Sequence, residues 1–323
     1  MVFFSLIRNF ALAMKYEALW RRLTGIYDTD EAKAIVRWVL DVRFGLSLTD
    51  IVCGKIDEMT EAEQSELEGM MQRLEKAEPV QYVVGVAEFC GRQFHVEPGV
   101  LIPRPETGEM VDWILEVRGE RLEVRDYQKG GYQILDVGTG SGCIAITLAL
   151  EMKEAKVTAW DLSEKALSIA KKNAEALGAD VTFEKKDILE LHLEEQNISH
   201  SSLHPFPSRA RLPVAFPHSS NYNLIVSNPP YVCEQEKAAM EKHVLEHEPH
   251  LALFVPDDDP LRFYRAIALY AKEALKPNGQ LYFELNPLYA RETETMLQDL
   301  GFVETEIRQD MFGKQRFLKA KKI

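Results

Sequence analysis

At 323 residues the chain is long enough to bury roughly three quarters of the surface its unfolded form exposes, in about two domains. Its hydrophobic content of 46% and charged content of 28% are those of a globular protein, and no uncharged apolar run approaches the roughly 18 residues a membrane-spanning helix requires, so no membrane association is expected. A formal net charge of -13 excludes a chain built to grip phosphate backbones nonspecifically, because that grip comes from Lys and Arg displacing counterions.

The N-terminal run MVFFSLIRNFALAMKYEALW is interrupted by Arg8, Lys15 and Glu17 and reads as an amphipathic helix, not a signal peptide. Helical patterning continues to Pro79. In the segment from Met59 to Pro79, Thr60 and Glu63 suit a capping box, and Leu67, Met70, Met71 and Leu74 recur at helical spacing as a core-facing stripe. Val84 to Val96 alternates on both sides of Cys90-Gly91 and predicts a β-hairpin. The implied organisation is a helical domain over 1–80, a hairpin linker over 81–105, and a larger domain over 106–323.

From Glu106 strands and helices alternate. Gln133 to Val137, Lys156 to Asp161, Val181 to Asp187, Tyr222 to Ser227 and Gln280 to Leu285 are the predicted strands, which implies an α/β fold with a parallel sheet covered on both faces. Ser163 caps a helix that ends near Gly178, and another runs from Pro260 to the turn at Lys276. Val303 to Gln309 and Lys314 to Lys321 form a closing antiparallel pair. The stretch Leu191 to Asn221 breaks the rhythm with four prolines and with His192, His200, His204 and His218. Their spacing matches no recurrent ligand pattern, so a surface insertion is expected and no metal site. Cys53, Cys90, Cys143 and Cys233 lie far apart without a C-x-x-C pair, as in a reduced cytoplasmic protein.

Three strand ends carry chemistry. After the first strand, Gly138, Thr139, Gly140, Ser141 and Gly142 lead into an apolar helix, so the backbone can approach a ligand at the helix N-terminus. Cys143 stands where a dinucleotide fingerprint requires Gly or Ala, which disfavours a nicotinamide cofactor. Asp161 ends the second strand about twenty residues on, where a carboxylate can accept from both hydroxyls of a ribose. Asp187 ends the third strand, suited to a purine edge with Ile188 as an apolar wall; a helix cap is the plain alternative for each aspartate.

The fourth strand delivers Asn228, Pro229, Pro230 and Tyr231. The prolines stiffen the exit and have no N–H to donate, so the segment offers acceptors: backbone carbonyls and the Asn228 oxygen, beside a flat ring. Such a pocket suits a planar NH2 group. If the electrophile is a sulfonium methyl donor, the nitrogen attacks first and loses its proton afterwards, so no strong base is needed and alignment dominates.

These residues resemble S-adenosylmethionine-dependent methyltransferases acting on planar nitrogen, a pattern shared with adenine-modifying DNA enzymes. Pro79 to Thr107, Glu248-Pro249 to Leu253, and Asp310 to Phe317 make the chain similar to the HemK/PrmC-type methyltransferases of peptide chain release factors over nearly its whole length. The resemblance implies a Rossmann-like seven-stranded methyltransferase sheet preceded by a small helical substrate-docking domain. It also implies methylation of the glutamine amide in the release factor Gly-Gly-Gln motif, which supports translation termination. Asn228, Pro229, Pro230 and Tyr231 would then hold the glutamine and form the catalytic segment. Gly138, Thr139, Gly140, Ser141, Gly142, Asp161 and Asn228 would contact S-adenosyl-L-methionine, with Asp187 and Ile188 flanking its adenine. A monomer is expected, with release factors as protein substrates and no stable nucleic acid binding. Family members commonly have an aromatic residue where Ile188 stands, an acidic one at Gly108 and a glycine at Asn286. Adenine in nucleic acid and glutamine in a ribosomal protein are the alternative substrates. A binding module that has lost catalysis would have a damaged glycine loop or Asn-Pro-Pro-Tyr segment, and both are intact.

Overall fold

The computed structural model describes residues 16–121, 131–191 and 221–323. The proline-rich insertion with its four histidines and most of the N-terminal amphipathic run lie outside the described residues. The chain forms two compact units, one comprising Met1–Val86, Val96–Pro98 and Met240–His247, the other Ala87–His95, Gly99–Ala239 and Glu248–Ile323.

In the first unit three helix starts have a side-chain acceptor for their free N–H groups. Asp28 accepts from Asp30 and Glu31 ahead of the helix Thr29–Phe44, and Ser47 with Asp50 makes a capping box before Leu48–Cys53. Thr60 and Glu63 form the anticipated box before Glu61–Leu74. The methionine-rich stripe is core: Leu67, Met70, Met71 and Leu74 are buried with Leu23, Val36, Val39 and Leu40. At the surface, Arg73 ties Glu78 and the carbonyls of Tyr82 and Val83.

The hairpin consists of β1 (Val86–Phe89) and β2 (Arg92–His95). Its turn places Cys90 at φ 48° and Gly91 at φ 69°, the left-handed pair that matches the twist of a two-residue hairpin.

The second unit is built on seven strands: β3 (Tyr132–Val137), β4 (Ala155–Asp161), β5 (Val181–Lys185), β6 (Tyr222–Ser227), β9 (Leu275–Glu284), β10 (Val303–Gln309) and β11 (Gln315–Lys321). The short strands β7 (Val232–Cys233) and β8 (Phe254–Val255) pair separately. The order is β10-β11-β9-β6-β3-β4-β5. The five strands from β9 to β5 run parallel, while β11 lies antiparallel to β9 and pairs with β10.

Alternation distributes the apolar residues to two cores. Ile134, Leu224, Val226 and Tyr282 pack with the helices Pro105–Arg121 and Cys143–Glu151. Their neighbours Leu135, Ile225, Leu281 and Phe283 pack with Arg262–Ala274 and Ala290–Asp299. A sheet buried on both faces explains why these strands read as continuous apolar runs. Because these five strands are parallel, all five deliver their last residues to one rim of the sheet.

Candidate active site

The glycine loop leaves β3 with Gly138, Gly140 and Gly142 at φ 79°, 56° and 84°, a region closed to most side chains. The N–H groups of Gly138 and Thr139 donate to the Trp160 carbonyl at 2.9 Å each, and Gly140 N donates to Asp161 Oδ2 at 2.8 Å. The loop is thereby tied to the end of β4. A Cβ at Gly142 would lie 2.8 Å from Ile146 Cδ1 and 3.1 Å from Ala170 Cβ, so this glycine lets the loop pack on the two following helices. Among the described residues nothing lies within 4 Å of a Cβ position at Gly138 or Gly140, which leaves an open cradle next to fixed backbone.

Asp161 also accepts from Ser163 N at 2.8 Å, so both carboxylate oxygens are tied to backbone N–H groups while the carboxylate keeps acceptor capacity for a ligand hydroxyl. Burial raises its pKa, opposed by the N–H groups of Ser163, Gly140 and Leu162. Asp136, buried beneath the loop, is pushed up to about 7 by burial, with the Thr139 hydroxyl and Ala145 N–H pulling the other way. Thr139 Oγ1 donates to Asp136 Oδ2 at 2.7 Å. Ser141 is buried, and its carbonyl accepts from Asn173 Nδ2 at 2.9 Å. Asp187 Oδ1 accepts from Leu189 N at 2.8 Å, a local cap, and Ile188 is buried in the cluster that holds Val137 and Trp160. The backbone loop, its open cradle and a carboxylate with spare lone pairs suit a nucleoside-bearing methyl donor.

On the neighbouring strand, Ser227 Oγ donates to the Val137 carbonyl at 2.5 Å, which fixes the exit of β6 against the residue preceding Gly138. Asn228 follows, half-buried, then a buried Pro229 and partly buried Pro230 and Tyr231. Asn228 Nδ2 donates to Thr107 Oγ1 at 3.2 Å. Thr107 and Tyr231 donate to the two oxygens of buried Glu284, at 2.6 and 3.0 Å. Asn286 Nδ2 donates to the Tyr231 carbonyl at 3.0 Å and to Glu236 Oε2 at 2.8 Å, while its Oδ1 accepts from Leu288 N at 3.0 Å. The Asn286 carboxamide thus clamps the motif segment. At Gly108, a Cβ would stand 3.3 Å from Cys90 Sγ, so the missing side chain leaves room for the hairpin.

Sequence reasoning passed over Thr107, Ser227, Asn173 and Glu284. Glu284 alone left a signal, a lone carboxylate closing the apolar run QLYFEL at the sheet's ligand edge.

Residues 18–85 match the PrmC N-terminal domain and residues 128–285 a methyltransferase domain. The chain is 45% identical over 298 residues to the release factor glutamine methyltransferase of Bacteroides thetaiotaomicron, covering 92% of this chain and 95% of that one. It is 38% identical to the enzyme of that name from Flavobacterium psychrophilum, over 92% and 94% of the two chains. With that from Streptococcus pneumoniae identity is 34%, over 84% and 86%. With three relatives matched at this identity and coverage, the chain belongs to the release factor glutamine methyltransferases.

Proposed function

We propose that this chain transfers a methyl group from S-adenosylmethionine to the side-chain amide nitrogen of the Gly-Gly-Gln glutamine in peptide chain release factors. The observation that carries this reading is the Ser227 to Val137 bond, which fastens the Asn228 segment to the mouth of the glycine loop, so that donor and acceptor sites share one rim. S-adenosylmethionine supplies an electrophilic methyl on a sulfonium. Gly138 to Gly142 and Asp161 hold its methionyl and ribose parts, with Asp187 and Ile188 toward the adenine. Asn228 contacts both reactants.

An amide nitrogen is a poor nucleophile because its lone pair is delocalised. Acceptors from Asn228 and the following backbone carbonyls would hold both of its hydrogens, which favours pyramidal nitrogen and frees the lone pair to attack the methyl carbon of a bound donor. Tyr231 packs against the planar amide and helps exclude water. Burial and the neighbouring Glu284 keep the Tyr231 phenol protonated far into the alkaline range, so it serves as a neutral wall and donor, not a base.

The helical unit docks the release factor, since one glutamine on a loop offers too little surface for recognition. The chain works as a monomer in the cytoplasm without stable nucleic acid binding, in keeping with its charge of -13. Among the described residues no helix is long and apolar enough to cross a membrane. The test is mass spectrometry of purified release factor after incubation with the enzyme and isotope-labelled donor. A labelled methyl on the Gly-Gly-Gln glutamine is expected. A label only on adenine in a parallel DNA reaction, or only on a ribosomal protein, overturns the assignment.

A further inference from the structure

A carboxamide presents a carbonyl at one end and an NH2 at the other, and only one end helps an acceptor pocket. If Asn228 offered its NH2 to the substrate amide, donors would oppose donors. The structure contains a device that chooses. Glu284 is 2% exposed and Thr107 2% exposed, and Thr107 Oγ1 lies 2.6 Å from Glu284 Oε2. A carboxylate has no hydrogen to give, so the hydroxyl hydrogens of Thr107 and of Tyr231, 3.0 Å from Oε1, both point at Glu284. Thr107 then faces Asn228 with lone pairs only. The group 3.2 Å away must be a donor, which assigns it as Nδ2 and turns Oδ1 to the other side.

We propose that Thr107, Glu284 and Tyr231 form a positioning relay that holds the Asn228 carboxamide in one of its two orientations, carbonyl toward the glutamine amide. The inference rests on the reading of Asn228 as the residue that holds that amide. Thr107 comes from the first turn of the helix Pro105–Arg121, Glu284 from the end of β9, and Tyr231 from the segment after β6, so the relay ties three elements together behind Asn228 through Thr107.

The surroundings set the pH at which the relay loses its acceptor form. Burial raises the Glu284 pKa, opposed by the hydroxyls of Thr107 and Tyr231 and by the Arg316 guanidinium, with Glu106 adding to the rise. Arg316 sits 3.4 Å from Tyr231 Oη and is held by Asp310 at 3.0 Å. Protonation of Glu284 lets it donate to Thr107, whose own hydrogen can then turn to Asn228 and release the amide. Activity is therefore lost as pH falls through a Glu284 pKa that lies above the ordinary carboxylate range.

The test compares Thr107→Val, Thr107→Ser and Glu284→Gln in steady-state methylation of a release factor. Thr107→Val is expected to lower kcat roughly 10- to 100-fold, the loss of one buried polar contact, with KM for S-adenosylmethionine changed less than a few-fold. Thr107→Ser restores the hydroxyl and recovers most of kcat. Glu284→Gln lowers kcat because its NH2 can donate to Thr107, and it removes the acid limb of the pH profile. Wild-type kcat in Thr107→Val, or Thr107→Ser as impaired as the valine variant, overturns the relay.

A second measurement is independent of turnover: the side-chain amide signals of Asn228 in nitrogen-15 spectra, identified by their loss in Asn228→Asp. One hydrogen should exchange slowly in the wild type and rapidly in Thr107→Val. Equal exchange in both overturns the relay even if catalysis is normal. A protected amide in a wild-type enzyme that does not methylate release factors overturns the functional reading and leaves the relay standing.

Discussion

The two halves of the sheet's carboxyl edge are built from different materials. Along β3, β4 and β5 the polar surface is backbone: N–H groups fixed by left-handed glycines and anchored on Trp160 and Asp161. Along β6, β9 and β11 it is side chain: Asn228, Thr107, Glu284, Tyr231, Arg316 and Asp310, each holding the next. A backbone cradle suits a ligand held mainly by fixed N–H groups, with few side chains beyond Asp161 having to be right. A side-chain chain suits a reacting group whose hydrogen-bond polarity must be specified.

The largest effect should follow from breaking the second half at its tip. Asn228→Ala is expected to reduce turnover on the order of 10²-fold or more, as for loss of a preorganised polar contact at a reacting centre, with donor affinity within a few-fold of wild type. Steady-state kinetics with labelled donor, beside calorimetric titration, reads both. Turnover close to wild type would erase the distinction between the halves. Asp161→Ala should do the reverse. It removes the acceptor for Gly140 and Ser163 N–H and the carboxylate read as the ribose partner. The Kd for S-adenosylmethionine should rise roughly 10- to 100-fold, in line with loss of hydrogen bonds to a charged group, with a smaller change in kcat at saturation. Unchanged affinity by calorimetry would remove Asp161 from the cofactor half.

The same contrast explains what the sequence disclosed. The glycine loop, the strands that converge on it and the Asn-Pro-Pro-Tyr exit are local: glycines set φ, prolines remove donors, and apolar runs mark strands buried on both faces. Each was legible from a few consecutive residues, as were the Thr60 capping box and the Cys90-Gly91 turn. The relay was not, because Thr107 and Glu284 are 177 residues apart and meet only once β9 lies beside β6. Asp187 shows the converse limit. A carboxylate at a strand end reads equally as a ligand partner and as a cap, and the structure gives its Oδ1 a capping bond to Leu189 N.

The finest test separates two glycines of one loop. Gly142→Ala forces a Cβ to 2.8 Å from Ile146 Cδ1 and 3.1 Å from Ala170 Cβ at φ +84°, so packing and backbone both object. A loss of about 1–3 kcal/mol is expected, read as a lower Tm or denaturation midpoint. Gly138→Ala meets nothing within 4 Å, and its φ of +79° leaves backbone strain on the order of 1 kcal/mol as the only cost to folding. Its added methyl instead stands in the cradle, so donor affinity should fall while Tm falls less than in Gly142→Ala. Calorimetry and thermal melts on the two variants check this directly. If Gly138→Ala bound S-adenosylmethionine as tightly as wild type, the space beside Gly138 would not be where the donor lies, and the backbone half of the rim would be a structural turn.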